Sequence, residues 1–331
     1  MATTTLVVTI IMAFGYLLVV RLVDFNEKEP WWAVMLTFVL GAASASLLLS
    51  VLDTSFLELH LVPGVAAKEL ARFGAIGAGV GVLVFVGQRR GFSEINGLMD
   101  GVVYGASGGL GFATGLAFAR AVLLPSDALA LAGQSALSYS QVALGGLADG
   151  VFGAFIGIGF VFVLEARSPV ARSVAPLGGY LAACVGHLGF LFIGKADPFG
   201  AGAVARKWVA LLLPVVLVVV VVVVALGRER RAIEDELEAE AETGAVSARD
   251  LELLQSFWAR ERSYWAALLR GSLSTWSALH GLHNRQVQLA LAKHKAKSEA
   301  DDERRAALGE EVAELRESVL ALKRKLEGGA D

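Results

Sequence analysis

The chain has one cysteine, Cys184, among 331 residues. A single thiol excludes an intramolecular disulfide framework and a cysteine-rich metal site, and is read here as a small buried apolar side chain. No HExxH occurs, so a zincin mechanism has no support in the sequence. Charge is missing from long runs of residues 1–227 and dense in residues 228–331. The net charge of -3 averages two unlike regions and says little about partners.

What the chain has is apolar surface. Hydrophobic residues make up 55% of it, against about 45–50% in a soluble domain. Seven stretches, near 4–23, 31–52, 61–86, 98–122, 138–164, 173–195 and 208–226, approach or exceed the roughly 20 residues that cross about 30 Å of hydrocarbon as a helix. The first has no basic residue ahead of its apolar run and reads as a retained span. The last contains "PVVLVVVVVVVAL", which has no polar side chain and is expected to face lipid. The expected fold is therefore all-α: a polytopic bundle of about seven transmembrane helices over residues 1–227. A cytoplasmic helical and coiled-coil tail follows over 228–331.

Short basic loops set orientation. Arg89 and Arg90, Arg167 and Arg172, and "GRERR" after the last span fall on one side of a seven-span chain. That side is expected to be cytoplasmic, with the N-terminus outside; Arg206 and Lys207 are a mild exception. Trp31, Trp32 and Trp208 begin spans, where interfacial indoles belong.

Two spans are rich in glycine. Gly101/Gly105 and Gly111/Gly115 have the four-residue spacing that lets helix backbones approach closely, and Gly145, Gly146, Gly150, Gly153, Gly157 and Gly159 continue the pattern in the next span. Three ionisable residues, Glu69, Asp149 and His187, lie inside spans. Each charged group costs about 2.5–3.5 kcal/mol at a helix centre on insertion scales, so such groups are expected to face a bundle interior or a wet cavity. At about 1.5 Å per residue they sit about 12, 16 and 12 Å from the outer ends of their spans. That common level predicts one shared polar site. Asp100 opens the fourth span, where a carboxylate faces the helix dipole in a structural role.

"NEKEPWWAVMLTFVLGA", "MDGVVYGASGGLGFA" and a late "VGHLGF", in that order, resemble the PrsW family of polytopic membrane proteins. These are glutamic-type or metal-dependent intramembrane proteases, related to the CAAX-protease-like group. The resemblance covers roughly residues 10–227. It implies paired glutamates in an EExxK motif, a glutamate after GLGFA, and histidines on later spans. Here the first motif reads "KELAR", residues 68–72, with one glutamate, Glu69. Leu116 and Ala117 stand where Glu-Asn is implied. Asp149 stands at the first late histidine, and His187 retains the second.

Peptide hydrolysis needs a water activated by a base or a metal, and Leu116 supplies neither. The expectation is a degenerate, non-catalytic family member that binds or regulates membrane proteins. The alternatives are an active protease with Glu69, Asp149 and His187 as catalytic residues, and a small-solute transporter. No cofactor or metal ligand is assigned.

In the tail, "ERRAIEDELEAEAETG" reads as a short charged helix ending at Gly244, and Ser247 and Asp250 as a capping box. An amphipathic helical segment carrying Phe257, Trp258, Tyr264, Trp265, Trp276 and Leu279 is expected to run to about 298. His280 and His283 share a helix face and form a weak metal signal. Leu308, Val312, Leu315, Val319, Leu322 and Leu326 make an a/d seam, short enough to fold back on the preceding helix. Mixed charges argue against nucleic acid. The expected partners are the membrane, a membrane-protein substrate or partner, and a protein contacting the tail.

Overall fold

A computed structural model describes residues 2–23, 29–51, 62–90, 97–123, 139–165, 168–195, 201–241, 244–270, 273–299 and 302–328. Seven long helices come first: α1 (Ala2–Val23), α2 (Trp31–Val51), α3 (Val62–Arg90), α4 (Leu98–Leu123), α5 (Tyr139–Glu165), α6 (Pro169–Lys195) and α7 (Ala201–Glu240). Helix is what an apolar solvent demands, because each backbone N–H and C=O must find a partner within its own segment. Arg167 and several span ends (52, 61 and 138) lie outside the described residues.

By length and composition, six of the described helices in this group, all but α3, are apolar enough to cross a membrane. The sequence of α3 holds Lys68, Glu69, Arg72, Arg89 and Arg90. It nonetheless packs within the same bundle. Its contacts with α5 rise in register, Arg72 beside Asp149, Gly77 beside Ile156 and Gly81 beside Phe160, so the two helices run parallel.

Helices α4 and α5 form the centre. From Leu98 to Phe112 every residue of α4 is buried. The glycines make this possible. A Cβ on Gly105 would lie 2.3 Å from the carbonyl oxygen of Gly153, and one on Gly109 would lie 2.0 Å from that of Asp149. The backbones of the antiparallel pair therefore touch, and dispersion contact is made along the whole seam. Small hydroxyls buried here bond back to their own helix: Ser107 to the carbonyl of Val103 at 2.7 Å, Thr114 to Leu110 at 2.9 Å, Thr37 to Val34 at 2.9 Å.

At the end where α2 and α4 begin, two motif stretches meet. The Tyr104 hydroxyl of "DGVVYGA" donates to the buried carboxylate of Glu29 from "EKEPWW". Arg21 donates to the Glu29 backbone carbonyl. Asp100 accepts the Gly97 N–H at 2.9 Å in the first turn of α4, the structural place expected for it.

Residues 224–331 form a second compact unit, and the division falls within α7. The charged segment after the last apolar run is thus no separate helix; it continues α7 to Glu240, with no helix breaker except Gly227 between Val215 and that point. Gly244 then takes a φ of 78°, which favours glycine. The unit continues with α8 (Ala248–Gln255), α9 (Phe257–Leu269), α10 (Leu273–Ser298) and α11 (Asp302–Gly328).

The capping box forms at α8: Asp250 N–H to Ser247 Oγ at 3.1 Å, and Ser247 N–H to Asp250 at 2.9 Å. The segment expected as one helix to 298 is three. The first break comes at Ser256, whose extended backbone and hydroxyl cap α9. The α11 seam folds back on α10, with Leu315 and Val319 buried against Leu282, Val287 and Leu289. Buried Glu240 is held by Lys293 at 2.6 Å and by Nε and Nη2 of Arg316 at 2.8 and 2.7 Å.

His280 and His283 both form ring contacts with Tyr264. His283 is buried against the Tyr264 hydroxyl at 3.0 Å, and burial pulls its pKa down to about 4, so the ring is neutral at neutral pH.

Candidate functional site

The site is built on three helices of the first unit. Glu69 and Arg72 lie three residues apart on α3, and that spacing puts them on one face of the helix. Asp149 comes from α5, at the point where Gly109 lets α4 press on its backbone. His187 comes from α6. All three residues expected to share a level, Glu69, Asp149 and His187, are buried and converge. Glu69 Oε2 lies 2.6 Å from His187 Nδ1, and His187 Nε2 lies 4.0 Å from Asp149 Oδ1.

Arg72 completes the group and was not singled out from the sequence. Its guanidinium bonds Asp149 Oδ2 at 2.5 Å and lies 3.8 Å from Glu69 Oε1. A signal for it existed: a basic residue one helical turn from a buried glutamate shares that glutamate's face. Its partner on α5, 77 residues away, had no such signal.

Apolar rings wall the site. The His187 ring has Phe73 and Phe152 at 5.4 Å, both edge-on, and Phe190 at 5.6 Å. The Arg72 guanidinium sits 5.2 Å from the centre of the Phe112 ring, within cation–π range. Leu116, one turn beyond Phe112, packs against this same apolar cluster. The residue standing where a carboxylate was implied is therefore part of the wall. Tyr180 donates to the Leu70 carbonyl at 2.7 Å, which ties α6 to α3 at this level. Cys184 is buried beside the Glu69 backbone carbonyl, as expected for an apolar role.

The donor set can be tested for a metal. A catalytic zinc takes three protein ligands and an open position. Here Glu69 is engaged by His187 and Arg72, and Asp149 Oδ2 by Arg72. That leaves His187 Nε2 and Asp149 Oδ1, the latter buried without a hydrogen-bond partner. Two free donors beside a fixed guanidinium do not make such a site. Among the described residues no group of three or more His, Cys, Asp or Glu is placed to hold a metal ion.

The family model described as "PrsW family intramembrane metalloprotease" matches residues 29–226. No curated protein and no solved structure matches the chain.

Proposed function

The chain belongs to the PrsW family of intramembrane proteases, and we propose that it is a member that no longer hydrolyses peptides and instead binds or regulates other membrane proteins. The observation that carries this reading is the Arg72–Asp149 pair. A hydrolase of this kind needs a base or a metal free to act on water. In this site the positive charge is a side chain already bonded to one of the two carboxylates. Leu116 adds an apolar wall where a third carboxylate was implied. Glu69 pairs with His187 and Asp149 with Arg72, and these pairs link three helices.

One observation favours a second reading, an active protease with a rearranged site. Asp149 Oδ1 has no partner and faces His187 Nε2 across 4.0 Å. A water held between them would have a carboxylate base beside it.

Glu69→Gln and His187→Ala separate the two readings. In a strain lacking the native gene, both variants are expected to restore the wild-type phenotype wherever they accumulate to wild-type levels. Suppose instead that the wild type cuts a membrane substrate and both variants, equally well folded, lose about 10²–10⁴ in rate. The non-hydrolytic reading then fails.

We also propose that the N-terminus is outside and the tail cytoplasmic, on the strength of the basic loops. A cysteine placed at Glu314 in a Cys184→Ala background should resist an impermeant maleimide in intact cells and react after lysis. Reaction in intact cells would reverse the orientation.

A further inference from the structure

Helix α9 is amphipathic in the reverse of the usual sense. Its inward side carries Arg260, Tyr264 and Ala267, all buried. Its outward side carries Trp258, Trp265 and Leu269, which are 71%, 60% and 84% exposed. At 3.6 residues per turn, Trp258, Arg262, Trp265 and Leu269 fall within an arc of about 60°. Leu273 and Trp276, at the start of α10, are exposed as well. A helix in contact only with water would turn its indoles inward. Contiguous apolar surface of this kind marks a binding face.

We infer that this face of α9 rests on the surface of an anionic lipid bilayer, that of the membrane holding the chain's own spans. Composition supports a lipid occupant. Tryptophan is the residue enriched at membrane–water boundaries, and an arginine within the same arc extends its stem along apolar surface while its head reaches phosphate. From Ser256 to Trp276 the exposed charged residues are Arg262 and Arg270, both basic, while Glu261 is half-buried and Arg260 faces inward, so the outward charge complements anionic headgroups. Tethering supports it further. Trp258 follows Leu226, the last residue of the uncharged run, by 32 positions, so the face is held near a bilayer at high effective concentration. Folding of the unit does not require the outward face, because the Tyr264–His283 bond and the burial of Ala267 lie on the other side.

The test uses the full chain with Cys184→Ala, reconstituted in phosphatidylcholine vesicles with and without phosphatidylglycerol. Nitroxides are attached at Trp265→Cys, at Leu269→Cys and, as an aqueous control, at Glu314→Cys on α11. Collisions with oxygen and with a nickel chelate then report depth. In anionic vesicles the 265 and 269 labels are expected to favour oxygen, at about 5–10 Å into the headgroup and acyl boundary, while 314 favours nickel. Arg262→Glu with Arg270→Glu, or neutral lipid, should shift 265 and 269 back toward nickel. Nickel access at both positions in anionic vesicles overturns the proposal, and protection that then appears only in native membranes would assign the face to a protein. Protection with spin–spin broadening that disappears on dilution with unlabelled protein would assign it to a second copy. Equal insertion in neutral lipid overturns the anionic requirement.

Discussion

Arg72→Met should destabilise the bundle by about 3–5 kcal/mol, the usual result of leaving one member of a buried ion pair alone. Asp149 is nearly inaccessible and its second oxygen already lacks a partner, so without Arg72 the carboxylate has only His187 near it, at 4.0 Å. Adding Asp149→Leu should recover most of the loss, because an apolar pair of similar volume needs no desolvated charge. Unfolding of the purified protein in detergent by a denaturing surfactant measures all three variants and closes a double-mutant cycle. Additive losses in the double variant would mean that the two side chains do not depend on one another. The site would then be something other than a self-neutralising cluster.

The second large effect is expected from a single methyl group. Gly109→Ala would place a Cβ 2.0 Å from the Asp149 carbonyl oxygen and 2.6 Å from its carbon. Both are backbone atoms, so no rotamer change relieves the overlap and the two helices must separate. Overpacking of this kind costs about 1–3 kcal/mol or more. Because the displaced backbone is that of Asp149, the shift should also loosen its bond to Arg72. Gly145→Ala and Gly178→Ala are the controls, since a Cβ at either position meets nothing within 4 Å. The same surfactant titration should leave both controls near the wild type. Because alanine has the higher helix propensity, equal losses at all three positions would show that the cost at Gly109 does not come from this backbone contact.

Some of this was legible in the residues. Long uncharged runs imply helices in lipid, and the common depth of Glu69, Asp149 and His187 anticipates their meeting. That Leu116 supplies neither a base nor a ligand also follows from its chemistry. What stayed hidden is whatever depends on a partner far along the chain. Glu29 reads as one more loop carboxylate until Tyr104, 75 residues on, donates to it. Arg72 reads as a motif position until α5 brings Asp149 alongside. Helix α7 misleads for another reason. A change from valine to charge looks like an end, but the backbone registers only breakers, and residues 228–240 contain none. In α9, periodicity shows that aromatic residues lie on two faces; it does not say which face the rest of the unit covers.

The composition of α3 bears on the order in which the chain is made. A segment holding Lys68, Glu69 and Arg72 partitions poorly into lipid by itself, at about 2.5–3.5 kcal/mol for each central charge. Its compensating groups arrive late: Asp149 is synthesised 77 residues after Arg72, and His187 118 residues after Glu69. During translation α3 is therefore the member of the bundle with least reason to stay in the bilayer. Its settled position depends on helices that the ribosome has not yet released.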